Sequence, residues 1–132
     1  MKKKVVFRAR ILLGLTFFVF GLNGCLQFIK QPPPTGVALQ FLGALITSHE
    51  IAVVMLLQVV AGVLLLANRF VALALVLLAP IVVNIVLFHA FMAPSGLPVP
   101  VFAAVLWVLA ASGVREAFRG LLKAQTTPEA RA

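Results

Sequence analysis

Residues 70–92 read FVALALVLLAPIVVNIVLFHAFM, and this stretch decides the fold class. Its 23 residues include no Asp, Glu, Lys or Arg, and its one proline, Pro80, lies near the centre. A helix needs about 20 apolar residues to cross roughly 30 Å of hydrocarbon, and this run reaches that length. The stretch therefore predicts a transmembrane helix.

Three further apolar runs surround this stretch, at residues 11–29, 51–67 and 99–114. The segments between the runs contain prolines or charges: Lys30-Gln31-Pro32-Pro33-Pro34, Asn68-Arg69 and Ala93-Pro94-Ser95-Gly96-Leu97-Pro98. Consecutive prolines cannot continue a helix, so we expect the first run to stop at the segment that begins with Lys30. Residues 36–47 are apolar but too few to cross, and we expect a short interfacial or re-entrant helix there. The predicted fold is all-α: an integral membrane four-helix bundle with a short interfacial helix between spans one and two.

The composition excludes a soluble globular fold. Apolar residues make up 63% of the 132-residue chain, and charged residues make up 11%. A soluble domain carries roughly 25% charged residues on average. Between Ile11 and Val114 the chain holds only Lys30, Glu50 and Arg69 as charged residues, which cannot form a surface that faces water. The expected partner of this surface is a lipid bilayer.

The positions of the basic residues predict the orientation. Ten of the eleven Lys and Arg residues precede the first span, lie between the second and third spans or follow the fourth, and Lys30 is the exception. Cytoplasmic loops carry the excess of Lys and Arg, so both termini are expected in the cytoplasm. The basic residues flank an apolar block and form no stripe, so nucleic acid is not an expected partner. We expect one transmembrane domain over residues 1–120 and a short polar tail over 121–132.

The single cysteine leaves one alternative open at the N-terminus. Leu22-Asn23-Gly24-Cys25 follows a basic flank and an apolar stretch, as in a lipoprotein signal in which Cys25 is modified. The simpler interpretation is that this segment is a basic flank and a first span, with Cys25 as a small apolar residue. One cysteine excludes an internal disulfide and dithiol exchange by this chain alone.

Polar residues inside the apolar runs are the candidate functional residues, because each is costly in hydrocarbon unless it is partnered. At 1.5 Å per residue, Gln58 and Pro80 should lie at nearly the same depth, so the Gln58 amide is placed to donate to the carbonyl that Pro80 leaves without a donor. The same estimate places Asn84 near Asn23 and Gln27 in the outer half of the membrane.

Two interpretations of these polar residues compete. In the first, Asn and Gln amides form hydrogen bonds between helices, at about 0.6 to 2 kcal/mol each. In the second, they line a ligand cavity, whose proposed residues are Asn23, Gln27, Gln58, Asn84 and His89, with His49 and Glu50 at its mouth. Aromatic walls from Phe20, Phe88 and Phe91 would suit an amphipathic ligand such as a quinone or a lipid headgroup. No catalytic residue and no metal site are predicted, because Glu50 is the one carboxylate between the flanks.

Several motifs resemble the DoxX-like family of bacterial membrane proteins. The resemblance covers roughly residues 8–118 and is carried by Arg10-Ile11-Leu12-Leu13-Gly14, Phe20-Gly21-Leu22-Asn23-Gly24, Asn68-Arg69-Phe70, Ala79-Pro80-Ile81-Val82-Val83-Asn84-Ile85, Phe88-His89 and Ala93-Pro94-Ser95-Gly96-Leu97-Pro98. It implies a four-helix protein of the cytoplasmic membrane. Position 58, a Glu in many members, and position 27, often His, are both Gln here. Both differences remove titratable groups, which argues against proton-coupled chemistry.

The resemblance also implies a set of functions. Members of the family are linked to thiosulfate:quinone oxidoreduction and to membrane complexes that handle thiol and oxidative stress. We expect a non-catalytic subunit or scaffold of a membrane redox complex, whose partner is a membrane or soluble redox protein or a second copy of the chain. The alternatives are a quinone-binding oxidoreductase subunit and a small-molecule or lipid transporter. No cofactor is evident from the residues, and a quinone is the one that the resemblance suggests.

Overall fold

The computed structural model describes residues 2–125 and residue 128. The described chain is helical and contains no strand within those residues. It forms six α-helices and two short 3-10 turns: α1 (Lys2–Leu26), α2 (Gly36–Thr47), α3 (Glu50–Leu66), α4 (Val71–Phe91), a turn at Pro94–Gly96, α5 (Pro98–Ser112), α6 (Arg115–Arg119) and a turn at Gly120–Leu122. The all-α class predicted from the sequence is confirmed.

Helix α1 differs from its predicted limits at both ends. It begins at Lys2, so the basic flank forms its first turns instead of preceding the helix. It ends at Leu26, before the prolines, because Gln27 adopts a left-handed conformation with φ of 51°. The prediction that the segment from Lys30 to Pro34 ends this helix is wrong. A residue in this conformation just past the last helical residue is a common helix end.

Helices α3 and α4 form an antiparallel hairpin with a tight connection. Asn68 and Phe70 both adopt positive φ, of 55° and 51°. The Arg69 amide donates to the Leu64 carbonyl at 3.0 Å, which closes the last turn of α3. The hairpin therefore places Arg69 at the end of the molecule that also holds the start of α1.

Four helices pack side by side in a closed ring, in the order α1, α3, α4, α5 and back to α1. Each helix runs antiparallel to its two neighbours, as three contacts show. Arg10 near the start of α1 bonds Leu65 near the end of α3, Trp107 of α5 bonds Leu75 of α4, and Gly113 lies against Val6. The starts of α1 and α4 and the ends of α3 and α5 therefore share one end of the molecule.

Glycines bring α1 and α3 close together. A Cβ atom built on Gly62 would lie 2.7 Å from the Phe18 nitrogen and 2.8 Å from the Gly14 oxygen, both of them backbone atoms. A Cβ on Gly21 would lie 3.0 Å from the Met55 oxygen. Small residues at such crossings let two helix backbones approach each other. Gly14 and Gly21 therefore let α1 approach α3 closely, and Gly62 is the glycine of α3 that faces Gly14.

The core is small and the outside is apolar. Leu13, Leu65, Leu75 and Leu78 are completely buried. Many large apolar side chains are exposed on the outer faces, among them Val53 at 58%, Leu56 at 63%, Val83 at 57%, Phe102 at 57% and Val108 at 61%. Monomeric soluble proteins rarely expose contiguous apolar surface on this scale.

Among the helices of the described residues, α1 and α4 are long and apolar enough to cross a membrane by themselves. Two further pairs reach that length only as bent units. Helix α2 meets α3 at 85°, and α5 meets the segment Arg115–Leu122 at 91°. The helix predicted at residues 36–47 is therefore present with those limits, and it lies across the end of the bundle instead of along it.

Candidate functional site

Gln58 is the one residue of the seven predicted site residues that is buried, at 5% exposed. Its amide takes part in none of the side-chain hydrogen bonds among the residues that the structure describes. The predicted bond to the carbonyl released by Pro80 is not formed, because Pro80 lies on the exposed side of α4 while Gln58 points into the bundle. Among the residues that the structure describes, no fully buried side-chain nitrogen or oxygen atom lacks a hydrogen-bond partner. The atoms of the Gln58 amide are therefore not fully buried.

Asn23 serves the end of its own helix. Its Oδ1 accepts a hydrogen bond from the Ile29 amide at 2.7 Å, and its Nδ2 donates to the Ile29 carbonyl at 3.3 Å. The Gln27 amide donates to the Asn23 carbonyl at 2.8 Å, and the Gln27 side chain is exposed. The Asn23 amide thus holds the turn that follows α1, and it is not a bond between helices.

Asn84 faces outward. It is exposed, and its neighbours on the same stripe of α4 are Val76 at 42%, Val83 at 57% and Leu87 at 48% exposed. Pro80 lies on this stripe one turn before Asn84 and is also exposed. Asn84 therefore faces away from the bundle and Gln58 faces into it. The structure does not bring the two side chains together in one cavity.

His89 fixes the loop after α4. Its Nδ1 lies 2.9 Å from the Ile85 carbonyl, and since a carbonyl only accepts, Nδ1 carries the proton in this contact. The ring stands edge-on to Phe88 with centroids 5.1 Å apart, and it packs against Gly96, where an added Cβ would lie 2.7 Å from Cδ2. The Phe88 ring packs against the Phe41 ring of α2 with centroids 5.6 Å apart, and this contact holds α2 at the same end of the molecule.

His49 and Glu50 lie at the corner between α2 and α3. Both are exposed, and His49 adopts a positive φ of 65° where the chain turns. The Glu50 amide donates to Ser48 Oγ at 3.3 Å. Within the described ranges, no group of three His, Cys, Asp or Glu side chains is arranged to hold a metal ion. This corner is a turn whose polar groups face the surface.

Arg10 is a buried charged residue, although its place in the sequence groups it with the basic flank. It is 9% exposed, its Nη1 donates to the Leu65 carbonyl at the end of α3, and its guanidinium lies 5.3 Å from the centre of the Phe7 ring. The sequence contained a pattern that indicates burial of Arg10. One face of α1 carries four residues at helical spacing that are all buried: Arg10, Gly14, Phe17 and Gly21. A cation at a helix C-terminus is favourable, since the last carbonyls carry partial negative charge.

Trp107 forms a second bond between helices that the sequence did not predict. Its Nε1 donates to the Leu75 carbonyl at 2.9 Å, and its ring packs against Phe118 with centroids 6.3 Å apart. The structure therefore uses Arg10 and Trp107, and not the predicted amides, for side-chain bonds between helices.

The basic residues collect at one end. Nine of the ten described Lys and Arg residues lie at the end that holds the start of α1, and Lys30 lies at the other end. The nine residues of this basic end are Lys2, Lys3, Lys4, Arg8, Arg10, Arg69, Arg115, Arg119 and Lys123. Glu116 pairs with Arg119 there at 3.2 Å, and both side chains are 71% exposed. This end therefore carries a strong excess of positive charge.

Shallow grooves on the outside of the described bundle include two that are lined mainly by apolar side chains. One of about 440 Å³ lies between α4 and α5, and one of about 210 Å³ lies between α1 and α5. The second contains a charged residue, Arg8, beside Leu12 and Leu109. None of the seven predicted site residues lines either groove.

The polar side chains are thus spread over the molecule and not collected at one centre. Gln58 points inward, Asn84 points outward, and Asn23 and His89 stabilise turns at the same end. Comparison of the chain with protein-family models, with curated proteins and with solved structures finds no match.

Proposed function

We propose that this chain is an integral membrane protein of the DoxX-like type, with four spans in the bacterial cytoplasmic membrane and both termini in the cytoplasm. The exposed apolar faces of the ring of helices support this proposal, because such surface is stable in lipid and not in water. The basic end supports the orientation. Nine described Lys and Arg residues at one end match the excess that cytoplasmic loops carry.

The two shorter helices fit this proposal through the bends at their ends. Helix α3 has 17 residues and α5 has 15, so they are about 26 Å and 23 Å long at 1.5 Å per residue. The hydrocarbon core is roughly 30 Å thick. The perpendicular segments Gly36–Thr47 and Arg115–Leu122 would then lie in the two interfaces, where an apolar face and a polar face are both solvated.

The proposed role is that of a non-catalytic subunit or scaffold of a membrane redox complex, and the outward position of Asn84 is the observation that carries it. Asn84 lies roughly 20 Å along a helix about 31 Å long, well inside the hydrocarbon. An amide exposed to lipid tails there is costly unless another group bonds it. We therefore place a partner's transmembrane helix, with a hydrogen-bonding side chain, against the stripe Val76–Leu87 of α4.

A scaffold fits the geometry better than a quinone-reactive subunit. A quinone site needs polar groups that converge on the ring oxygens inside an apolar pocket. Gln58 and Asn84 point to opposite sides, and His89 already bonds the Ile85 carbonyl. A transporter would need a polar path between helices, and the two grooves are outer, mainly apolar clefts.

Replacing Asn84 by leucine is expected to reduce recovery of the partner about threefold to thirtyfold, the range of one interhelical amide bond. The measurement is quantitative mass spectrometry of proteins and lipids that copurify with the tagged chain from native membranes. Val53→Leu, at an exposed position of α3 outside this stripe, is the matched control and should leave recovery unchanged. The melting temperature of the purified chain should be unchanged in both variants, because Asn84 forms no side-chain bond within the described residues.

A photo-crosslinking residue at position 87, on the same stripe, identifies what covers it. Crosslinks to one redox protein support the proposed scaffold, and crosslinks to a second copy of this chain locate the partner helix in a homo-oligomer. Crosslinks to lipid alone, or equal partner recovery in Asn84→Leu and Val53→Leu, would contradict the proposal. A quinone among the copurifying lipids, lost in a His89→Ala variant, would instead favour the quinone-reactive subunit.

A further inference from the structure

The groove between α1 and α5 differs from the groove between α4 and α5 in having a charged residue in its lining. The groove between α4 and α5 is lined by apolar side chains alone. The groove of about 210 Å³ is lined by apolar side chains and one cation, Arg8. Its apolar lining residues include Leu12, Phe102, Leu106 and Leu109.

Arg8 lies at the level where the membrane interface is expected. Val6 of α1 lies beside Gly113, just past the end of α5, so Arg8 is about 3 Å further in along the helix axis. Leu12 and Phe102 extend the groove from there toward the middle of the bundle, and both are exposed, at 47% and 57%. The groove therefore has an arginine side chain at the headgroup level and an apolar channel that leads inward.

We propose that this groove binds one anionic phospholipid of the cytoplasmic leaflet. Arg8 would bond the phosphate, as guanidinium groups do with two parallel N–H donors. One acyl chain would lie along Leu12, Phe102 and Leu106, where apolar contact is available over the length of the groove. The other basic residues at this end add a field that attracts anionic lipid. Arg10 contributes no headgroup contact, since its guanidinium is buried against Leu65.

Charge complementarity is what selects this occupant. A neutral detergent offers Arg8 no counter-charge, and a zwitterionic lipid brings its own cation to an end that already holds nine described Lys and Arg residues. A soluble anion such as phosphate leaves the apolar lining uncovered. An anionic lipid matches both. The inference rests on the proposed membrane location.

The test is lipid titration of the purified full-length chain in detergent, read by native mass spectrometry. Phosphatidylglycerol is expected to form a saturable one-to-one adduct, and Arg8→Gln should weaken its affinity about fivefold. Arg119→Gln removes the same charge from the same end but outside the groove, and its effect should stay below about twofold. Leu12→Trp fills the channel and should also weaken the adduct, whereas Leu15→Trp, exposed and outside the groove, should not.

Three results would overturn the lipid site. Equal losses in Arg8→Gln and Arg119→Gln would show diffuse attraction without a site. Equal affinity for phosphatidylcholine would show that net charge is not recognised, and displacement by millimolar inorganic phosphate alone would show that the acyl chain is not held. If the chain still requires detergent in any of these cases, the membrane location stands and the lipid site alone fails. A chain that is monomeric in plain buffer would refute the membrane location itself.

Discussion

Replacing Gly62 by leucine is expected to abolish the packing of α1 against α3. A Cβ at this position would already lie 2.7 Å from the Phe18 nitrogen and 2.8 Å from the Gly14 oxygen, and backbone atoms cannot move aside as a flexible side chain can. Overpacking a core costs about 1 to 3 kcal/mol and sometimes more, and a full leucine against two backbones belongs at the upper end. We expect a loss of at least ~3 kcal/mol in the free energy of unfolding, or roughly 10 °C in melting temperature.

Gly43→Leu is the matched control for this variant. Gly43 lies in α2, and a Cβ built there meets nothing within 4 Å. Leucine is a better helix former than glycine, so the control should be neutral or slightly stabilising. Circular dichroism melts of both variants in one detergent make the comparison. Equal melting temperatures for Gly62→Leu and the unmodified chain would refute the close contact of α1 with α3.

Replacing Arg10 by methionine is expected to lower the free energy of unfolding by about 2 kcal/mol, as for other hydrogen bonds made by a charged group. The variant keeps most of the apolar stem and removes the donor to the Leu65 carbonyl. That carbonyl belongs to the last turn of α3, where the helix dipole is negative. The contact with Phe7 at 5.3 Å is lost as well.

Two further variants separate this role from the general effect of charge. Arg10→Lys keeps the charge but loses the planar fork, so its stability should lie between that of the methionine variant and that of the unmodified chain. Arg119→Met removes a cation that is 71% exposed and paired at the surface, and should cost less than about 1 kcal/mol. Thermal unfolding in detergent measures all three. If Arg10→Met and Arg119→Met unfold at the same temperature, Arg10 does not stabilise the end of α3.

The helical segments could be predicted because length and hydrophobicity act locally. The apolar run that ends at Met92 and the short run from Gly36 to Thr47 appear as helices close to the predicted limits. The end of α1 could not be placed, because it depends on one residue, Gln27, in a left-handed conformation and on the Asn23 amide that holds the turn. The prolines from Pro32 to Pro34 predicted a later end for α1, and this prediction was wrong.

The predicted site was harder to derive because it requires knowing which side of each helix faces inward. Depth along a helix follows from a count of residues, but depth alone does not say whether the side chains of Gln58, Pro80 and Asn84 face one another. The direction of a side chain depends on the order of helices in the ring, which a single sequence leaves open. Arg10 was assigned to the flank by its charge although its spacing from Gly14 matched the buried face.

Cysteine accessibility in intact bacterial cells tests most directly the claim of four spans with a cytoplasmic basic end. In a Cys25→Ser background, Ser95→Cys and Ser112→Cys place single exposed thiols at opposite ends of the bundle. A membrane-impermeant maleimide should label Ser95→Cys in intact cells and Ser112→Cys only after the cells are permeabilised. Labelling of Ser112→Cys in intact cells, or equal labelling of the two thiols before permeabilisation, would contradict the account.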